Sequence, residues 1–325
     1  MKLGRRKFLH LAAATVALPA LSRPARSETF PTRPVRLVVG YAAGGVNDIL
    51  ARIVGQSLSE QLGQSFVIEN KAGAGSNIAT ETVVRSQPDG YTLLLVSAAN
   101  AINATLYDKL NFDFIRDVAP VAGISQVSNV MVVKPTFPAK SVAEFIAYAK
   151  AHPDKITMAS AGIGSPQHVG GELFKMMTGI KMVHVPYRGG APALTDLLGG
   201  QVDVYFASSA SSIEYIRTGK LKALGVTSLR PSEALPDVPT IGEFVPGYEA
   251  SAWYGVGAPR KTPADIIEKL NKAINAALAD SKLLSRLADL GATPLVGSPD
   301  DFGKFIAEET TKWGNVVKFA TIKPE

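Results

Sequence analysis

The sequence predicts an α/β fold of two lobes, and three observations predict it. Apolar strand-like runs alternate with amphipathic helical stretches along the chain. The alternation restarts near Val130. The length of 325 residues, at ~100–200 residues per domain, leaves room for two cores. Strict strand–helix alternation predicts parallel sheets with helices on both faces.

The N-terminal segment is read first. Residues 1–27 hold Arg5, Arg6 and Lys7, then the apolar Ala-rich run 8–20, then a short polar stretch ending at Ser27. This is the layout of a cleavable export signal, with small Ala25 and Ser27 favouring a cut before Glu28, while a cut after Ala20 or Ser22 also fits. The run Arg5-Arg6-Lys7-Phe8-Leu9 suits a twin-arginine signal and an ordinary secretory start equally. The apolar run is shorter than the ~20 residues a membrane-spanning helix needs. A soluble exported protein is expected, and the periplasm is its expected compartment.

Charge and cysteine usage narrow the function classes. The formal charge of +6 looks basic, but six of the 34 Lys and Arg lie in residues 1–27 without any acid, so the rest balances its 28 acids. No basic block remains to follow a phosphate backbone, and a nucleic-acid partner is excluded. With no cysteine there are no disulfides, thiolate metal sites, cysteine nucleophiles or lipidated cysteine anchors.

The first lobe opens with strand 35–39 and a helix whose Leu50, Val54, Leu58 and Leu62 share one face until Gly63 stops it. Strand 66–68, a turn at 73–76, a helix over 77–87 and the buried strand 92–96 follow. The second lobe reads as strand 130–133, helix 141–150, strand 156–159, helix 166–178, strand 182–185, helix 192–198, strand 202–206, helix 212–218 and strand 221–226. Residues 229–248, rich in Pro and Glu, form a connection to strand 252–258. Thr262, Pro263 and Asp265 predict a helix start, the threonine hydroxyl accepting from first-turn amides. Further helices over 283–290 and 299–319 cap the first lobe. Crossings near 125–131 and 249–256 divide the chain into domain I, residues 28–128 and 250–325, and domain II, residues 129–249.

Two loops carry the candidate chemistry. Residues 40–48 follow a strand and feed a helix, and in this loop Tyr41, Ala43, Gly44, Gly45, Asn47 and Asp48 are candidate ligand contacts. Glycines let backbone amides approach a ligand, and a helix start offers unpaired N–H donors with partial positive charge. The second loop holds Ser160, Gly162, Gly164, Ser165 and His168, with Ser165 as N-cap and Pro166 at the first helical position. Opposed helix starts suit the carboxylates of a diacid. Ser97, Asn100, Tyr187, Arg188 and Ser208 follow other strand ends and complete the set. The chain lacks HExxH, GxSxG and paired helical histidines, so no catalytic residue, metal site or cofactor is expected.

These residues carry a resemblance. PTRPVRLVVGYAAGG at 31–45, ENKAGAGSNIA at 69–79, PDGYTLLL at 88–95, ASAGIGSPQH at 159–168, HVPYRGGAPALTDLLGGQVDV at 184–204, PDVPT at 236–240 and SPDDF at 298–302 stand in the order and spacing of the receptors of tripartite tricarboxylate transporters. The chain resembles these Bug-type solute receptors over nearly its whole length after Pro31. The resemblance implies a two-lobed type II periplasmic-binding-protein fold, a Venus flytrap with two crossover strands, closing on a small organic carboxylate. The ligands it implies are di- and tricarboxylates, acidic amino acids or aromatic acids. It also implies delivery to a large and a small membrane subunit, and the receptor is expected to act as a monomer. Asn47 stands where similar receptors often carry Thr or Ser, and Asn100 where a histidine is frequent; both departures bear on ligand choice. An exported hydrolase or isomerase would share signal and fold but lack an assignable nucleophile. A ligand sensor would share the lobes.

Overall fold

The computed structural model describes residues 30–187 and 189–324. The proposed export signal and Arg188 lie outside them. β1 (Val35–Val39) is buried at every position except Arg36, and α1 (Val46–Leu62) lays Leu50, Val54 and Leu58 against it. Gly63 ends that helix at φ 70°, its N–H donating to the Ser59 carbonyl, a left-handed cap that glycine adopts without strain. β2 (Phe66–Asn70), a one-turn helix at Ala74–Ser76, α2 (Asn77–Val84) and the fully buried β3 (Thr92–Ser97) complete the first units.

Three elements then appear that the sequence pattern did not announce: α3 (Ala98–Leu106), α4 (Phe114–Asp117) and β4 (Val118–Val127). The reason is physical. α3 is Ala- and Asn-rich and buried nearly all round, so it shows no polar stripe, and β4 carries Pro120 and Gly123 within a largely buried run, which breaks the two-residue alternation. Elsewhere the differences are small, the helix expected to reach Gln87 ending at Val84.

The second lobe comprises β5 (Asn129–Val133), α5 (Val142–Ala151), β6 (Thr157–Ser160), α6 (Pro166–Thr178), β7 (Val183–Pro186), α7 (Gly190–Gly199), β8 (Val204–Ser208), α8 (Ser209–Arg217) and β9 (Lys222–Val226). The chain returns through 229–248 to β10 (Ala252–Pro259), α9 (Ala264–Ala279), α10 (Ser281–Asp289), β11 (Ala292–Pro294) and α11 (Pro299–Phe319). Pro263 rather than Thr262 caps α9, and the buried Thr262 hydroxyl makes no hydrogen bond, which corrects the capping role expected of it.

The sheets are mixed rather than parallel. One has the order β11-β4-β10-β3-β1-β2 and the other β7-β6-β8-β5-β9. β10 runs antiparallel to β3 and β4, and β5 antiparallel to β8 and β9. Each is the strand that arrives from the other lobe. The βα units run toward the gap between lobes, whereas a chain that has just crossed it enters at the near end and must run away. That inversion is topological and leaves no mark in local periodicity.

One core lies between the first sheet and α1, α9 and α10, and another lies under α7 and α8. A third spans both lobes, joining Val38 and Leu94 to Met131, Phe174 and Phe206 through Trp253 and Trp313. α11 is central to it, packing on α3 and β4 of the first lobe and on α6 of the second. It bridges the lobes rather than only capping the first.

Candidate ligand-binding cleft

Open α/β sheets present ligand loops at the carboxyl ends of their strands, here β1, β2 and β3 in one sheet and β6, β7 and β8 in the other. In the first loop Ala42, Ala43, Gly44 and Gly45 are exposed. Gly45 caps α1 in extended conformation without a side-chain hydrogen bond to the first-turn amides, so those donors face outward with the helix dipole behind them. The Gly44 N–H is already used: it donates to Asp48 Oδ2 at 2.9 Å, and Arg52 Nε donates to the same oxygen at 2.9 Å. Asp48 is buried, and its hydrogen bond from Arg52 holds its carboxyl below the usual carboxylate range. It fastens the loop through Oδ2, while its buried Oδ1 has no hydrogen-bond partner. Asn70 Nδ2 donates to the Tyr41 carbonyl at 3.0 Å. Burial, and secondarily Tyr107, pushes the Tyr41 phenol up, so it stays neutral.

Ser97 and Asn100 are brought to the cleft end of β3, but their polar atoms are engaged. The Ser97 N–H donates to Asn100 Oδ1 at 2.8 Å in a capping box that opens α3, and Asn100 Nδ2 donates to Thr80 Oγ1 at 2.9 Å. Both hold the frame of the cleft.

The second loop is built around two imidazoles. His168 and His184 stack with ring centroids 3.7 Å apart and planes within 8°. The Gly164 N–H donates to His168 Nδ1 at 3.2 Å, which leaves the His168 proton on Nε2, 3.7 Å from Glu172 Oε1. The Ser160 hydroxyl bonds His184 Nε2 at 2.6 Å and accepts from the Gly162 N–H at 3.1 Å. Ser165 caps α6, its Oγ accepting from the His168 N–H at 3.3 Å. Burial, then the facing His184, lowers the His168 pKa to about 3, and burial, then Lys175, lowers that of His184 to about 4. Both rings are neutral at neutral pH and serve as a rigid support for the loop. Gly164 sits at φ 74°, and a Cβ there would overlap Leu106 of α3, so this loop abuts the first lobe.

Tyr187 spends its hydroxyl on Asp196 Oδ2 at 2.7 Å, and its pKa rises to about 12 through burial and then Asp196. Ser208 ends β8 with its Oγ buried and without a hydrogen-bond partner. Sequence reasoning missed two further features of the rim. Residues 73–76 all have positive φ, and buried Ser76, whose Oγ lies over Gly40, and buried Asn77 each keep a polar side-chain atom unpaired. Their signal was present as the second glycine turn following a strand. Asn129, at the first residue of β5, has neither Oδ1 nor Nδ2 paired, and nothing local marks it.

A cavity of about 850 Å³ lies elsewhere, on the hinge, between Gln126, Ser128, Arg230, Glu249, Thr293 and Phe305. None of the expected ligand residues lines it. Among the described residues no group of three His, Cys, Asp or Glu forms a metal site, and no helix is long and apolar enough to cross a membrane.

Comparison with known proteins gives a consistent result. Residues 50–322 match the model of the tripartite tricarboxylate transporter family receptor. The chain is 36% identical over 315 residues to BugT of Bordetella pertussis, covering 96% of this chain and 97% of that protein. The solved structure of Rpa4515 from R. palustris with adipate superposes with a TM-score of 0.82 at 38% identity, covering 91% of this chain and all of that one. MatC from Rhodopseudomonas palustris with bound malate gives a TM-score of 0.78 at 35% identity over 89% of this chain and all of that one.

Proposed function

Because this chain belongs to the tripartite tricarboxylate transporter receptor family and is a solute receptor rather than an enzyme, we propose that it binds a small organic carboxylate between its lobes and delivers it to a tripartite membrane transporter. The observation that carries this reading is the pair of glycine loops entering α1 and α6 from opposed lobes. Backbone amides at a helix start receive a carboxylate without a balancing cation. The uncapped start of α1 leaves its first-turn donors for such a group. The adipate and malate bound by similar receptors are dicarboxylates, which suits a ligand held from both loops. Tyr41, Ala43, Gly45, Asn47, Ser160, Gly162, Ser165, Tyr187 and Ser208 border the cleft in this reading, and Arg188 adds a cation.

The protein acts as an exported monomer in the periplasm, its signal cut before Glu28. Domain I, residues 28–128 and 250–325, and domain II, residues 129–249, close on the ligand about the two crossings. Thermal denaturation of the mature protein against a panel of di-, tri- and aromatic carboxylates tests the reading. At least one acid raises the midpoint in proportion to the logarithm of its concentration. A panel that shifts nothing refutes it. Intact mass of the exported protein checks the cleavage site, and loss of uptake of the same acid on deletion of the gene checks delivery.

A further inference from the structure

Asn129 is the first residue of β5, at the point where the chain first enters the second lobe. Its backbone is fully engaged: the N–H donates to Thr227 Oγ1 at 2.9 Å, and its carbonyl accepts from the Thr227 N–H at 2.9 Å and from Ser128 Oγ at 3.0 Å. Its side chain is not. The residue is 1% exposed, yet both Oδ1 and Nδ2 lack a hydrogen-bond partner in the protein. A buried amide left in this state costs free energy on both atoms, so it calls for a cause.

The register supplies a neighbour. Asn129 is the direct cross-strand partner of Ser208, which places the two side chains on one face with Cβ atoms ~5 Å apart. The Ser208 hydroxyl is also buried and unpaired. Ser208 stands at the N-cap of α8, where a serine ordinarily accepts from a first-turn amide, but its side chain makes no capping bond.

Alternation fixes which way the pair points. Val130 and Ala207, the next residues along their strands, pack in the core under α7 and α8, so Asn129 and Ser208 project to the opposite side. Two residues further along the same face, Met131 and Phe206 belong to the core packed with Val169 and Phe174 of α6. The pair therefore lies on the face that α6 covers, at the sheet end from which the Ser160–His168 loop leaves β6. It stands at the carboxyl end of β8, beside the strand from which that loop departs.

We propose that Asn129 and Ser208 form a specificity subsite that selects acids bearing a hydroxyl group over the plain alkyl acids of the same length. This rests on the carboxylate-receptor reading and deepens it. A carboxylate oxygen only accepts, so it satisfies Nδ2 and leaves Oδ1 unpaired. A hydroxyl donates to Oδ1 while accepting from Nδ2 or Ser208, and pairs the whole set. Sites built to bond a hydroxyl discriminate strongly against analogues lacking it, because the buried partners are then left bare.

The test is calorimetric titration of the mature protein with two matched pairs, succinate against malate and glutarate against 2-hydroxyglutarate. In the wild type the hydroxylated member of the pair that fits the cleft binds at least about tenfold more tightly. Asn129→Leu, similar in volume and without unpaired atoms, brings the two members within about twofold of each other. Ser208→Ala narrows the ratio partially. Equal wild-type affinities for both members overturn the subsite while leaving the receptor reading in place, as when a resident water satisfies the amide with every ligand. Retained discrimination in Asn129→Leu overturns it as well. Absence of binding by any diacid of a wider panel removes the receptor reading and the subsite together. The wild-type comparison requires no variant, so a variant that fails to fold cannot shelter the proposal.

Discussion

Gly45 and Gly164 occupy corresponding places in the two loops, yet their surroundings give them different tasks. Gly45 has φ −81° and only the Ala42 carbonyl within 4 Å of an added Cβ. Gly45→Val therefore folds with a loss of only about 1 kcal/mol from the poorer helix cap, while its branched side chain screens the α1 amides and weakens carboxylate binding at least about tenfold. Chemical denaturation and titration calorimetry separate the two effects. Gly164→Val meets a left-handed backbone and the Leu106 side chain together, and loses roughly 2–4 kcal/mol of stability. Acid sensitivity belongs to the same scale. His168 and His184 titrate near 6.5 when unfolded but at about 3 and about 4 when folded, so between those values the unfolded chain holds more protons and stability falls as pH falls. The loss is on the order of 1–2 kcal/mol per ring at pH 5. Melting curves from pH 7 to pH 5 check it, with a double His168→Gln, His184→Gln variant flattening the profile; identical profiles would remove the stack as the cause. The sequence offered His168 as a cleft residue, but its partner lies 16 positions away on β7, and only the fold brings the rings together.

Elements differ in how plainly they were written. α6 and α11 begin at a serine cap followed by proline, and both stand where the sequence placed them, because caps and stops are local chemistry. α3 and β4 escaped because burial on all sides erases the periodicity that marks a half-exposed element. α11 also does something its stripe does not reveal. Buried Glu309 accepts from Trp253 Nε1 at 2.9 Å and Trp313 Nε1 at 2.7 Å, and Lys312 bridges it to Glu249. Glu249 lies on the returning crossover, so the helix is tied to the hinge. Glu309→Ala leaves two indole donors unpaired while Lys312 keeps Glu249, and costs about 2–5 kcal/mol. Glu309→Gln, which keeps an acceptor, costs less. Urea denaturation ranks the two, and equal stability of both variants would show that the network contributes little.

At the scale of the whole molecule, binding is read as closure about two crossings that share one continuous core. Saturation at a hundredfold excess over Kd adds about 2.7 kcal/mol to stability. Deuterium uptake then falls together in residues 40–48 and 160–168; protection confined to one loop would show that the lobes do not close on the acid. The sequence by itself determined the α/β class, most helix boundaries, the glycine loops and the family, because each of these depends on residues close together in the chain or on an ordered string of motifs. Three things were decided only by tertiary structure. The arriving strands β5 and β10 run against their neighbours, since direction in a sheet follows the path of the chain and not its local pattern. Gly44, Asp48 and Asn100, which the sequence offered to the ligand, also hydrogen-bond within the first lobe, since a polar group near a cleft serves whichever partner geometry brings within reach. Asn129 meets Ser208 only because its strand pairs with β8, a contact between residues 79 positions apart that no local signal can carry.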